Sequence, residues 1–382
     1  MMPAMDAHDL FVAVQTPVLG TGHGLRVATL LRALAATGPG VHVLYVRFGA
    51  GEPGAALRAV DGLSFEGVEP SRGARRALAY AAARAARTPA GWARAISPEL
   101  VAAARRRAAE PGVRRVIADG PGAAAALLGL ARRRPVIYNA HNLESAYRHE
   151  LASGDLGSPK LLRAAERRLL ATAAESWMVS EADLAGARAL CPGAVLRLVP
   201  NVVDIDAITA VVPQPDAHRV LMVADYTYEP NANGLRFLLD EVMPRVWATR
   251  PDTVLRLLGR GLDDPAPGEP RVQAAGFVED LDAEYAAASC AVVPLLEGGG
   301  TPFKFLEALA HGLPVVATPR AAAGLAVTAG EHYREGDDAT SFADAVLALT
   351  GGDPEAAALA TRGRALVAER YSLDALKRAV TA

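Results

Sequence analysis

The chain has 382 residues, 51% apolar and 21% charged, with a net charge of −2, enough length for two ordinary domains and too neutral for a globally basic nucleic-acid binder. Its two cysteines, Cys191 and Cys290, lie far apart and form neither a disulfide framework nor a thiolate metal motif. The first residues lack a signal-peptide pattern and no uncharged apolar run reaches roughly 18 residues, so a reducing cytoplasm is the expected compartment.

Leu10 to Gln15 reads as a strand, followed by Gly20-Thr21-Gly22-His23-Gly24, a helix to about Ala36 and a second strand at 41–46. Strand, glycine loop, helix and strand open a Rossmann-like unit. The glycine spacing is not Gly-x-Gly-x-x-Gly, and the second strand runs into Arg47 instead of an acid for a nicotinamide ribose. That argues against a dehydrogenase. From Ser71 to Ala108 the chain reads as helical and basic, with Arg72, Arg75, Arg76, Arg84, Arg87, Arg94, Arg105, Arg106 and Arg107 against Glu99. Such a run is ordinarily a solvated helix face. The alternative is a surface for a phosphorylated acceptor or for peripheral contact with the inner face of a membrane.

Apolar strands at 115–119 and 135–139 flank a short Gly/Ala-rich helix. His141 and Glu144 follow the second strand, at the carboxyl end where such sheets bind ligands. A helix is expected over 158–174 and a strand at 176–180, while 205–218, with Pro213-Gln-Pro215, reads as a linker. A second Rossmann-like half begins with strand 219–224. Asn231 is expected to cap a helix near 232–249, and strand 253–258 comes next. The Asp-x-Asp triplets Asp204/Asp206 and Asp280/Asp282 are too short a signal for a metal site and sit where Asp commonly caps helices. No metal is expected.

The working centre is the stretch Glu297-Gly-Gly-Gly-Thr-Pro-Phe-Lys-Phe-Leu-Glu307, between apolar runs at 290–296 and 314–318. Thr301 is expected to cap a helix with Pro302 at its first position, and Gly312 to end it in the left-handed conformation. Gly299 and Gly300 let a ligand approach the backbone, and the N–H groups of Phe303 and Lys304 face out of the positive helix end, which suits a phosphate. Lys304 is one of three lysines among 40 basic residues, so its presence is not background usage. Glu307, three residues on, shares its face. A cation for a diphosphate and a carboxylate for sugar hydroxyls make a nucleotide-sugar pattern.

This stretch resembles the nucleotide-sugar-binding signature of family-4 retaining glycosyltransferases, in the branch that reads roughly Gly-Gly-Thr-x-x-Lys-x-x-Glu-Ala. The resemblance implies the GT-B architecture: an α/β protein of two Rossmann-like, doubly wound domains with a ligand cleft between them. It places an N-terminal acceptor-side domain at 1–205, a nucleotide-sugar domain at 206–365, and a helix at 366–382 returning to the first domain. The implied activity is metal-independent, retaining transfer of a hexosyl unit from a nucleoside diphosphate sugar to an acceptor hydroxyl, with no cofactor beyond that donor. The acceptor class stays open between small-molecule natural-product glycosides, cell-envelope lipids and polysaccharides.

Residue by residue, the resemblance gives Glu307 the ribose and His141 the transferred sugar. The family's other donor glutamate falls on Gly299, a departure that leaves Glu297, two residues early, as the nearest carboxylate. The Gly20, Gly22 and Gly24 loop would face the cleft, and the backbone at Val278, in Gly276-Phe-Val-Glu-Asp280, would receive the base. Arg260 would assist Lys304 with the diphosphate, since the helix after Tyr226–Asn231 shows no clear basic equivalent. Asn201 and Asp204 read as cleft-edge or structural residues. Two rivals share these motifs: a non-hydrolysing nucleotide-sugar epimerase, which needs acid/base carboxylates, and a non-catalytic sugar-nucleotide-binding subunit, which Gly299 favours.

Overall fold

The computed structural model describes residues 7–381 except 19, 48–50, 148–157, 215–216, 263–264 and 299. Its apolar runs pair into two all-parallel sheets belonging to two separate units. The first unit takes residues up to Pro200 and those from Leu376 onward; the second takes Asn201–Ala375.

In the first unit the strands are β1 (His8–Ala13), β2 (Val41–Val46), β3 (Leu63–Val68), β4 (Val113–Asp119), β5 (Val136–Asn139), β6 (Glu175–Met178) and β7 (Leu196–Leu198). Their order is β3-β2-β1-β4-β5-β6-β7. Parallel strands covered on both faces carry continuous apolar runs, not alternation, which is why β1 and β5 read so plainly. Leu10, Val12, Val116 and Tyr138 from the strands share one core with Leu100 and Ala104 of helix Pro98–Ala108 and with Leu162 and Leu169 of helix Pro159–Thr172. In the second unit β8 (Arg219–Val223), β9 (Val254–Leu258), β10 (Val272–Gly276), β11 (Cys290–Val293), β12 (Val315–Ala317) and β13 (Arg334–Glu335) lie in the order β10-β9-β8-β11-β12-β13. Each sheet is therefore wound in both directions from one starting strand, β1 or β8, and reverses beside it.

Several expectations need correction. The basic stretch is three helices, Ala74–Ala85, Ala90–Ala95 and Pro98–Ala108, broken where Pro89 and the Ser97–Pro98 start interrupt the backbone ladder. Helix Ala74–Ala85 buries no side chain. Arg107 bonds to Glu66 on β3 at 2.7 Å and to Glu110 at 3.0 Å, and Arg106 reaches Glu66 at 3.3 Å. Part of the apparent charge excess is thus neutralised within the unit. The supposed linker packs down on the second unit: Ile205, Ile208 and Val211 join its core, and the Val211 N–H donates to the His311 carbonyl at 2.7 Å. The expected terminal helix is two, Ala356–Arg370 and Leu373–Thr381, and Arg115 of the first unit donates to the Val380 carbonyl at 2.9 Å. No helix among the described residues is long and apolar enough to cross a membrane.

Loops at the carboxyl ends of β8, β9 and β10 are stitched by their backbones. The Tyr226 N–H donates to the Arg260 carbonyl at 3.0 Å, and the Gly259 N–H to the Gly276 carbonyl at 2.7 Å. Gly259 has φ +123°, and a Cβ there would lie 1.8 Å from the Ala224 carbonyl oxygen, a backbone atom that cannot swing aside. Gly259→Ala is therefore expected to lower stability by more than about 3 kcal/mol, in the tail of point-mutation effects; urea unfolding of the two proteins side by side measures it.

Candidate functional site

In the second unit the loops after β8 and β11 flank the point where the sheet order reverses. The chain leaves β11 through the glycine stretch, in which Gly298 and Gly300 have φ of +93° and +85°. Gly299 lies outside the described residues. The helix runs Phe303–His311 and ends, as its sequence implies, at Gly312 with φ +76°. Its start differs from expectation. Pro302 is the capping residue and Thr301 caps nothing. The buried Thr301 hydroxyl instead accepts from Asn201 Nδ2 at 3.0 Å, so Asn201 fixes the end of the glycine loop. The first N–H groups of the helix are still those of Phe303 and Lys304.

Asn231 also departs from its expected role. The helix after β8 starts at Glu229, which leaves Asn231 inside its first turn. There its Nδ2 donates to the Asp225 carbonyl at 2.8 Å while its Oδ1 accepts from Lys304 Nζ. A side chain from one loop thus holds the cation of the other. Burial pulls the Lys304 ammonium down to about 8, against the attraction of Glu307, and burial likewise raises the Glu307 carboxyl, against the attraction of Lys304. The two charges support each other in a half-desolvated site. Glu297 accepts from Asn233 Nδ2 on the same helix, and Arg236, in that helix's last turn, bonds to Asn233 as well. Arg260 is over half exposed and paired with Asp225, whose carboxyl this bond and those from Thr227 hold down at about 2 despite its partial burial. Val278 packs partly on the core, but the neighbouring Phe277 is 89% exposed, an aromatic surface that had no distinguishing signal in the sequence. Asp280 caps helix Leu281–Ala286 through the Ala283 N–H, the structural role anticipated for that triplet.

The first unit has its own cluster at the reversal between β1 and β4. Gly20 is in the turn with φ +103°, but Gly22 and Gly24 already belong to helix Gly22–Thr37, because the Thr21 hydroxyl caps it through the Gly24 N–H at 3.0 Å. Gly24 is needed for packing: a Cβ there would lie 1.9 Å from the Val18 carbonyl oxygen. The short turn carries His23 up against His141, with ring centroids 4.4 Å apart. His141 Nε2 lies 3.0 Å from Asp119 Oδ1 at the end of β4, and His23 Nε2 lies 3.8 Å from Asp119 Oδ2. Gly120 follows with φ +76°, and a Cβ on it would come within 2.6 Å of the His141 ring.

Beneath the two rings runs a buried polar chain. Asn139 donates to Asp119 Oδ1 at 2.8 Å and accepts from Arg26 at 2.6 Å, while Arg26 also donates to the Val199 carbonyl at 3.1 Å. Burial alone would raise the Asp119 carboxyl, yet His141, His23 and Asn139 together hold it at about 2. Burial lowers the His23 imidazole, against the attraction of Asp119. Beyond His141, Glu166 accepts the N–H groups of Glu144 and Ser145 at 2.7 and 3.0 Å, and Asp183 that of Leu143 at 2.9 Å. Glu144 opens the short helix Glu144–Tyr147, and burial raises its carboxyl against the attraction of His141. Asp119, Asn139, Arg26 and His23 were not singled out from the sequence; an acid closing a buried strand just before Gly120-Pro121 was the one available signal.

Residues 217–351 match the family model described as glycosyl transferases group 1. A search of curated proteins gives no match. The fold is similar to that of sucrose-phosphate synthase from Thermosynechococcus elongatus, with TM-score 0.73 and 18% identity over 98% of this chain and 97% of that one. Anabaena HepE in complex with UDP and glucose follows at TM-score 0.70 and 16% identity, over 98% of both chains. The lipopolysaccharide outer core galactosyltransferase WaaB, in apo form, gives 0.65 and 13%, again over 98% of both. Two parallel α/β sheets in these orders, with those likenesses, make the fold GT-B.

Proposed function

We propose that the protein is a retaining, metal-independent glycosyltransferase that moves a hexosyl unit from a nucleoside diphosphate sugar to an acceptor hydroxyl. The observation that carries this reading is Lys304: a scarce lysine, half-buried, held by Asn231 at a sheet reversal, beside a glycine loop and one turn from Glu307. The match of residues 217–351 to group 1 glycosyl transferases supports it, as does the similar fold of HepE, solved with UDP-glucose. In this reading Lys304 and the helix start neutralise the departing diphosphate, Glu307 takes the ribose hydroxyls, and Gly300, Thr301, Phe303, Val278 and Arg260 line the donor. His141, oriented by Asp119, contacts the transferred sugar. The exposed helix Ala74–Ala85, with Leu78 71% exposed, supports an acceptor that is lipid-linked or otherwise anionic.

A thermal-shift panel of UDP-, GDP- and dTDP-sugars identifies the donor, and transfer to added glycoside acceptors then separates an enzyme from a binding subunit. With that donor, Glu307→Ala is expected to weaken binding by about 1.5–3 kcal/mol, the usual loss for one charged hydrogen-bond partner, with little change in folding. Unchanged donor affinity would leave Glu307 a plain helix-face residue.

His141→Ala should lower kcat while the affinity for free nucleoside diphosphate holds, because the imidazole is assigned to the sugar. Wild-type kcat in that variant would return the ring to a structural role.

Transfer should survive EDTA, and Lys304→Ala should lose on the order of 10²-fold in kcat/KM, as for removal of one preorganised charge-stabilising donor. The pH profile adds an independent readout. An anion selects the protonated ammonium, and burial pulls Lys304 down to about 8 in the free protein. Donor affinity should hold below that pH and decline above it, and the decline should be absent in Lys304→Ala. Turnover that EDTA abolishes and Mg²⁺ restores would refute the metal-free mechanism.

A further inference from the structure

We propose that His23, His141 and Asp119 bind one divalent transition-metal ion of the zinc class. Three donor atoms, one from each residue, all lie within 4.8 Å of one another. With ligands about 2 Å from a tetrahedral zinc, neighbouring donors stand about 3–3.5 Å apart. His141 lies 3.0 Å from one Asp119 oxygen and His23 3.8 Å from the other, distances close to that spacing. Two imidazole nitrogens and one carboxylate favour zinc-class ions over Mg²⁺ or Ca²⁺, which seek oxygen ligands.

The surroundings resemble a supported metal site. Asp119 is fully buried and anchored by Asn139, itself anchored by Arg26, the outer-shell arrangement that orients a ligating carboxylate. Both imidazoles keep access to solvent, with side chains 30% and 23% exposed, so an ion could enter and retain open positions. His141 Nε2 would exchange its hydrogen bond to Asp119 for the metal, the neutral imidazole then carrying its one N–H proton on Nδ1. Resting on the function proposed above, the consequence is inhibition: an ion there occupies the nitrogen assigned to the transferred sugar. The site is then a zinc brake on a metal-independent enzyme, not a cofactor site.

The test uses tag-free, EDTA-stripped full-length protein titrated with Zn²⁺ by calorimetry and with Co²⁺ by visible absorption. One ion per chain is expected, with intense low-coordination cobalt bands. His23→Asn, with His23→Ala as a second variant and melting curves to confirm folding, should weaken binding by about 10–100-fold or more. His42→Asn, at an imidazole paired with Ser64 and Glu66 instead, should change nothing. Absence of saturable binding, or equal affinity in the His23 variants, overturns the site. Zn²⁺ should also inhibit wild-type transfer relative to its own EDTA control, and inhibit the His23 variants at least tenfold more weakly. Stoichiometric binding without inhibition would overturn the brake while keeping the site, and would separately remove His141 from its proposed contact with the sugar.

Discussion

A parallel sheet wound in both directions from one strand must leave two adjacent loops with no crossover between them. Both sheets obey that constraint, at β1/β4 and at β8/β11. The open ground between those loops is where distant parts of the sequence converge. In the first unit His23, Asp119 and His141 meet there; in the second, Asn231 meets Lys304. The glycines serve the same geometry. Gly24 and Gly259 let two backbones close to distances that no side chain permits, which holds the loops at their strand ends.

Each cluster also stores electrostatic cost. Burial lowers Arg26 to about 10 and Lys304 to about 8, so in neither case does the charge rest easily. Both are retained because a chain of partners answers them: Val199, Asn139 and Asp119 for Arg26, Asn231 and Glu307 for Lys304. Such arrangements add little net stability, since desolvation cancels most of the attraction. Strongly shifted groups of this kind concentrate at working sites.

The central strands, the helix after the glycine stretch and its Gly312 terminus were legible because apolar runs and a left-handed glycine are local signals. The lone lysine beside a carboxylate was legible as composition. What failed was anything decided by tertiary partners. Thr301 looks like a cap, but Asn201, a hundred residues away in sequence, claims its hydroxyl. Asn231 looks like a cap too, yet its helix begins earlier, at Glu229, and its amide is committed to Lys304. β3 was missed because Leu63-Ser-Phe-Glu-Gly-Val68 is a partly exposed edge strand whose Glu66 and Gly67 break the apolar run. Asp119 read as the end of a strand, and only pairing of β4 with β1 and β5 shows which imidazoles it meets.

Lys304 shows most clearly why such a site resists inference from folding preferences. A cation in the first helical turn opposes the helix dipole, and a local optimum would place Asp or Glu there. Half-burial raises the cost again. Asn231 supplies a neutral acceptor, and Glu307 a carboxylate that burial itself has weakened as an anion. The free protein therefore keeps a positive charge in a place that favours neutrality, and under the proposed function an incoming diphosphate would relieve both penalties together. The first unit offers the reverse: beneath two imidazoles lies Asp119, a carboxyl that His141, His23 and Asn139 hold down at about 2 against its burial. Opposite polarities at the two sheet reversals give the halves of this chain different chemistry on the same topological plan.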